Sequence, residues 1–402
     1  MNHNRRSRVS LALSLSCAAL MLLAPLPSAT AQPTADPAEP PRPHVECAIT
    51  NTAPEPARIH QAALSDGFRP VHAFATGSGV TVAIIDTGVY PHPRLPEVID
   101  GGDFVDAGVG ATVDCDGHGT IVAGVIAARD TGDGIVGVAP DVRLLSLRQT
   151  STKFRRETAP NSPEVAGGSL ATLTAAIEAA VDQHAHVINI SVVSCLPPGA
   201  PPVETQEFDR VIRKAEAAGV IIVAAAGNRS EACPHGSTVY PAHHPQVIGV
   251  GSLADPYHLA EYSVRSPKPM LAAPGVVPAG LATRDAELSD GIVHPGGIAP
   301  FEGTSFAAPM VTGTVALLKQ RYPAASPQQL RELLFASVDP ATGAVDIQRV
   351  LRQFHSPKPQ AAAIAIAQPQ QSDTGSVQRT AWLLYGLGIL AVVALALRQR
   401  RR

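Results

Sequence analysis

Phe301-Glu302-Gly303-Thr304-Ser305-Phe306-Ala307-Ala308-Pro309 sets a serine between a tight Gly-Thr turn and a run of small and apolar residues, 305–320, that reads as a helix. A serine in that place meets the free backbone N–H groups of a helix N-terminus, which favour negative charge as it develops. By itself it would serve equally well as a helix cap. Two further stretches change its meaning. Ile84-Ile85-Asp86-Thr87-Gly88 ends an apolar run in a carboxylate, and Gly117-His118-Gly119-Thr120 places an imidazole at the start of a helix-like run, 119–128. A serine hydroxyl is a weak nucleophile at neutral pH; it needs a base, and the base needs an orienting carboxylate. Asp86, His118 and Ser305 are therefore the candidate catalytic residues, and they occur in that chain order.

The fold follows from the texture around them. The runs 80–85, 143–147, 186–192, 220–226 and 247–250 are nearly continuous in apolar residues, as strands buried on both faces are. Helical spacing alternates with them: Leu170, Leu173, Ile177 and Val181 within 169–185, Phe208, Val211 and Ile212 within 208–218, and 327–337 opened by Ser326-Pro327. The expected architecture is α/β, with a mainly parallel sheet between two helical layers and ligands bound beyond the carboxyl ends of the strands. Ala224-Ala225-Ala226-Gly227-Asn228 brings an amide to that same edge. Acyl transfer builds negative charge on the carbonyl oxygen, so Asn228 and the backbone N–H of Ser305 are assigned to the oxyanion. Asn189 is the competing amide; it lies inside its strand, where a structural role fits better.

The remainder of the chain reads as attachments to this domain. Residues 1–31 carry Arg5, Arg6 and Arg8, then an uncharged apolar run, then Ala29-Thr30-Ala31, the plan of a cleavable secretory signal. Residues 32–57 are a Pro-rich extension without a core of its own. The α/β domain is placed at 58–352, with 149–168, which lacks an apolar period, as a solvated surface insertion or, alternatively, a substrate or partner loop or a processing site. A linker at 353–380 leads to seventeen uncharged residues, 381–397, and the tail Arg398-Gln399-Arg400-Arg401-Arg402. Seventeen residues span about 26 Å as a helix, enough to cross a bilayer if the flanking arginines snorkel. Their charge should hold the tail in the cytoplasm and the domain outside, in a single-pass cell-membrane protein. Outside the two ends, 23 basic residues face 34 acidic ones, which argues against nucleic acid as a partner.

With Cys17 discarded in the signal, four cysteines remain, Cys47, Cys115, Cys195 and Cys233. An even number outside the cytoplasm implies two disulfides. Cys195 and Cys233 each follow one of two strands separated by a single helix, so their loops should meet; Cys47 is then left for Cys115. The spacings contain no C-x-x-C pair, and no metal or cofactor is expected.

The stretches Asp-Thr-Gly at 86, His-Gly-Thr-x-x-Ala-Gly at 118 and Gly-Thr-Ser-x-Ala-x-Pro at 303 resemble the three signatures of the subtilisin-like serine proteases, the subtilases. The resemblance runs from about residue 80 to 336. It implies triad roles for Asp86, His118 and Ser305, an oxyanion role for Asn228, and protein or peptide as substrate. It further implies that Ser191 and Val193 lie on the rim where substrate backbone pairs, with Val193 where the family usually has glycine, narrowing the pocket. Ile121 replaces a second histidine. Signal, short Pro-rich arm, subtilase-like domain, linker, single apolar segment and arginine tail together resemble the mycosins, membrane-anchored subtilases of type VII secretion systems. That likeness implies an extracytoplasmic endopeptidase acting on secreted type VII substrates and joined to the secretion membrane complex, with a structural role in that complex as the alternative. A lipase-like hydrolase is a weaker reading, because the Ser motif ends in Ala307 and the residue order is reversed.

Overall fold

The computed structural model describes residues 46–105, 108–156, 165–201, 203–353 and 374–401. The signal segment 1–31, the start of the Pro-rich arm, the tip of the insertion and most of the linker lie outside the described residues.

In chain order the elements are β1 (Ile49–Thr52), α1 (Glu55–Asp66), β2 (Thr81–Asp86), β3 (Val98–Asp103), α2 (His118–Ala127), β4 (Arg143–Arg148), β5 (Ser151–Arg156), β6 (Val165–Gly167), α3 (Leu170–Asp182), β7 (Val187–Ile190), β8 (Ser194–Leu196), α4 (Gln206–Ala217), β9 (Ile221–Ala225) and β10 (Thr238–Tyr240). There follow β11 (Ile248–Asp255), β12 (His258–Leu259), β13 (Leu271–Pro274), β14 (Val276–Val277), β15 (Gly280–Leu281), β16 (Leu288–His294), β17 (Gly297–Glu302), α5 (Thr304–Arg321), α6 (Pro327–Phe335), α7 (Ile347–Arg352) and α8 (Thr374–Gln399).

The main sheet runs β12-β11-β9-β7-β2-β4-β3, with β13 also on β11. Its pairings are parallel except for the short β12. The side-chain period of two divides β2 between the layers. Val82 and Ile84 enter the core formed with α2 and α5; Ala83 and Ile85 enter the core formed with α3 and α4. Both sets are fully buried, so β2 is held from above and below up to Asp86, itself 0% exposed. The helix boundaries follow from their caps. Ser169 and Thr172 form a reciprocal capping box on α3, and Ser326 and Gln329 form one on α6 with Pro327 in the first turn.

The chain departs from the sequence reading in four places. The insertion at 149–168 is a hairpin of β5 and β6, and its Ser151 and Phe154 are buried, Phe154 lying under the Arg148 guanidinium. One buried aromatic and one hydroxyl make no apolar period, so the hairpin is invisible to one. The Pro-rich arm contributes β1, which pairs antiparallel with β16, and Pro54 and Pro56 cap and open α1 instead of extending the arm. β3 was not expected because Asp100, Gly101, Gly102 and Asp103 give an edge strand no apolar run. The C-terminal helix, a separate unit with Arg352 onward, begins at Thr374, within the segment read as linker, and the part long and apolar enough to cross a membrane is Val377–Gln399.

The cysteines join as Cys47–Cys115 and Cys195–Cys233. The parallel neighbours β7 and β9 bring the second pair together, and β8 pairs with β10 across it. Beside Cys47, the Ala48 N–H donates to the Cys115 carbonyl at 2.7 Å, fixing the arm to the loop before α2.

Five histidines, His72, His92, His186, His243 and His244, are held below the ordinary histidine range, chiefly by burial, which disfavours the cation. A lowered folded pKa means stability that is complete above the unfolded value near 6.5 and lost as pH falls through it. Asp114 and His118 are raised and act in the opposite direction, two groups against these five imidazoles. We expect the melting temperature of the detergent-solubilised chain to be lower at about pH 5 than at about pH 7.5. A higher value at the acidic pH would contradict the burial of these imidazoles in the neutral form.

Candidate active site

Three loops at the carboxyl edge of the sheet bring the sequence-predicted residues to one cleft. Asp86 is the last residue of β2. Its Oδ1 accepts from the Thr87 N–H at 2.8 Å and lies 2.7 Å from Nδ1 of His118. His118 is the first residue of α2, behind Gly117 at φ 84°, a left-handed conformation that favours glycine. With Nδ1 committed to Asp86, Nε2 is the ring nitrogen left for the cleft. The ring leans on Phe306, 5.1 Å between centroids. Burial pushes the His118 pKa down, but the Asp86 charge and hydrogen bond, with Asp114 and Asp116 behind, outweigh it and leave the value raised.

Ser305 stands in the first turn of α5. Its hydroxyl donates to the Ser191 carbonyl at 2.9 Å, while the Ser191 hydroxyl donates to the Ser305 carbonyl at 2.8 Å. Asn228 follows β9. Its Oδ1 accepts from both the N–H and the hydroxyl of Thr304, each at 3.0 Å, which turns Nδ2 outward as a donor. Gly303 is required for this approach: a Cβ there would stand 2.8 Å from Asn228 Nδ2. His118, Ser191, Asn228, Ser305 and Phe306 line one cleft of about 460 Å³, whose far wall is Ile292, Ala299, Pro300 and Phe301 of the β16–β17 hairpin. Val193 lines a neighbouring groove with Gln149, Ser169 and Leu173 and packs over Gly227, 3.7 Å from where a Cβ would be. Asn189 is fully buried, its amide bonded to Ser191 and Thr312. Among the described residues no group of three or more His, Cys, Asp or Glu is arranged to hold a metal.

Such a cleft, with a buried carboxylate on an imidazole, a hydroxyl at a helix N-terminus and an outward amide donor, is equipped for acyl transfer. Residues 77–360 match the sequence profile of the subtilase family, Peptidase S8. The chain belongs to the subtilase family. This subtilase is 37% identical over 350 residues to Mycosin-1 of Mycobacterium tuberculosis, covering 80% of this chain and 77% of that one. Among solved structures it is similar to MycP1 from Mycobacterium smegmatis, with TM-score 0.71 and 32% identity over 82% of this chain and 95% of that one. It is also similar to a chain in the structure of an intact ESX-5 inner membrane complex, with TM-score 0.67 and 27% identity over 90% of this chain and 97% of that one.

Two supports of the subtilase cleft escaped the sequence reading. Asp114 is buried beneath the turn before His118: Oδ1 accepts from the Thr87 hydroxyl and the Gly117 N–H, both at 2.8 Å, and Oδ2 from the N–H and hydroxyl of Thr120 at 2.8 and 2.6 Å. Burial raises its pKa to about 6 against the pull of those bonds. Asp116 accepts from the Thr152 N–H at 2.8 Å and from the hydroxyls of Ser151 and Thr152, anchoring the β5–β6 hairpin beside the cleft. The only linear signal for Asp114 is its place between two threonine-bearing motifs, and hydroxyl partners leave no periodic trace. Replacing Asp114 by Asn sets an NH2 against donors that now meet a carboxylate. We expect Asp114→Asn to lower unfolding free energy by about 2 kcal/mol in urea titrations. A more stable variant would show that burying the charge costs more than its four bonds return.

Proposed function

We propose that this subtilase is a membrane-anchored extracytoplasmic endopeptidase in which Asp86, His118 and Ser305 form the triad. The observation that carries the reading is the 2.7 Å contact between the Asp86 carboxylate and His118 Nδ1, in a cleft that Ser305 also lines. In the first step the Ser305 hydroxyl turns from the Ser191 carbonyl to His118, whose Nε2 takes its proton as Oγ attacks the peptide carbonyl carbon. The oxyanion so formed is met by Asn228 Nδ2 and the Ser305 N–H. Collapse breaks the C–N bond, His118 returns the proton to the leaving amine, and water, deprotonated by the same imidazole, releases the acyl group. Ser191 and Val193 serve as substrate-side rim residues in this reading.

The anchor is α8. Its 23-residue candidate span, with the uncharged run 381–397 at its centre, is about 35 Å long as a helix, more than the hydrocarbon thickness of a bilayer. The arginines at 398 and 400–402 favour a cytoplasmic tail, which leaves the catalytic domain outside. Substrates secreted through a type VII system are the class indicated by the mycosin relatives. A second reading, a structural subunit of that system's membrane complex, is favoured by the likeness to a chain of the ESX-5 inner membrane complex over 90% of this sequence.

Ser305→Ala should abolish labelling by a fluorophosphonate and all peptide cleavage, with the melting temperature unchanged; cleavage at the wild-type rate would refute the nucleophile. Secretion restored to a deletion strain by Ser305→Ala would support the structural reading, and failure to restore it the proteolytic one. The base must be neutral, and its pKa is raised, so activity should climb with pH through a transition above the usual histidine value. Asp86→Ala removes the main raising influence, so residual activity should titrate at lower pH. A transition that does not move would separate Asp86 from the base.

A further inference from the structure

Pro309 lies inside α5, one turn after Ser305. Having no N–H, it cannot donate to the carbonyl four residues back, which is that of Ser305. The nucleophile's own carbonyl is thus deprived of its helical partner, and the hydroxyl of Ser191 takes that place from the end of β7, at 2.8 Å. The direction of that bond is set deeper in the core. The Thr312 hydroxyl donates to Asn189 Oδ1 at 2.8 Å, and Asn189 Nδ2 donates to Ser191 Oγ at 2.9 Å. Thr312 and Asn189 are both 0% exposed and Ser191 is 4% exposed. Thr314, by contrast, turns its hydroxyl back to the Met310 carbonyl of its own helix, so the outward donation by Thr312 is particular to that position.

The directionality follows from the donors available. With Oδ1 accepting from Thr312, the Asn189 amide presents NH2 to Ser191, whose oxygen then accepts and whose proton is free for Ser305. With the amide reversed, Oδ1 would take the Ser191 proton and the Ser305 carbonyl would again lack a donor. Ser305 and Thr312 are seven residues apart, two turns, on one face of α5. The relay therefore ties that face to β7 at two points and fixes the main chain that carries both the nucleophile and its N–H.

The geometry points to Thr312 and Asn189 as positioning residues for the proposed hydrolysis, acting through the Ser191 hydroxyl on the Ser305 backbone. This rests on the protease reading, and the experiment separates the two. Rates of reaction with an alkyl fluorophosphonate, in which the Ser305 oxygen bonds to phosphorus and fluoride leaves, are measured on the full chain in detergent for wild type, Thr312→Val, Thr312→Ser, Ser191→Ala and the Val/Ala double variant. Expected are a roughly fivefold slower bonding step in Thr312→Val with probe affinity unchanged, and recovery in Thr312→Ser. In the Ser191→Ala background, Thr312→Val should have no further effect, because the link it acts through is gone. A Thr312→Val rate equal to wild type, a Thr312→Ser rate as slow as Thr312→Val, or additive losses in the double variant would each overturn the relay while leaving the nucleophile assigned. A wild-type chain inert to the probe would overturn the protease reading, and the relay with it. Should Thr312→Val fail to fold by circular dichroism, Asn189→Ser against Ser191→Ala repeats the additivity test, and additive losses overturn the relay there too.

Discussion

A carboxylate buried at the end of a central strand, with an imidazole closed over it, is the constraint that orders this site. Asp86 is held rigidly because β2 is filled on both faces, by Val82 and Ile84 on one side and Ala83 and Ile85 on the other. A buried charge without partners is costly, so the surroundings must supply donors, and His118 is the one that reaches the cleft. The elements that bring His118 to that point, the left-handed Gly117 and the Asp114 bonds beneath the turn, follow from the same requirement. Moving β2 by one residue would exchange its two core faces and turn Asp86 away from the imidazole.

The other half of the site is organised by α5. Its N-terminus is fixed by two polar clamps of different origin. Thr304 holds Asn228 from the outside of the turn, and the Thr312, Asn189 and Ser191 series holds Ser305 from within the core. Both clamps use backbone groups that a regular helix would leave unmet, the first N–H groups and a carbonyl facing a proline. Functional geometry is thus purchased from irregularities in the helix and not from its regular part.

Loops of a parallel sheet are the mobile part of such a fold, and here they are tied down. Cys195–Cys233 and the β8–β10 pair close the loops after β7 and β9, while Cys47–Cys115 and the β1–β16 pair hold the arm against the loop before His118 and against the hairpin that walls the cleft. A chain with few aromatic residues and a core of small aliphatics gains rigidity at its rim from covalent and strand contacts. In the proposed setting outside the membrane, where thiols oxidise, such ties persist.

What the linear chain decided by itself was the framework. Unbroken apolar runs alternating with helical spacing specify a covered parallel sheet, and the residues that end those runs, Asp86 and Asn228, are legible because strand ends and sheet edges coincide. The anchor-like helix was equally legible as an uncharged run, though its start at Thr374 was not, since polar residues continue a helix without announcing it. The position of each asparagine along its strand already separated Asn228 from Asn189, but only the tertiary structure decided their partners: one amide is turned outward by Thr304 and the other is consumed by Thr312 and Ser191. The same holds for Asp114 and for the hairpin at 151–167. Their partners are hydroxyls and backbone groups distant in the chain, and a hydrogen bond made across a fold imposes a direction and a distance, neither of which leaves a period in the sequence.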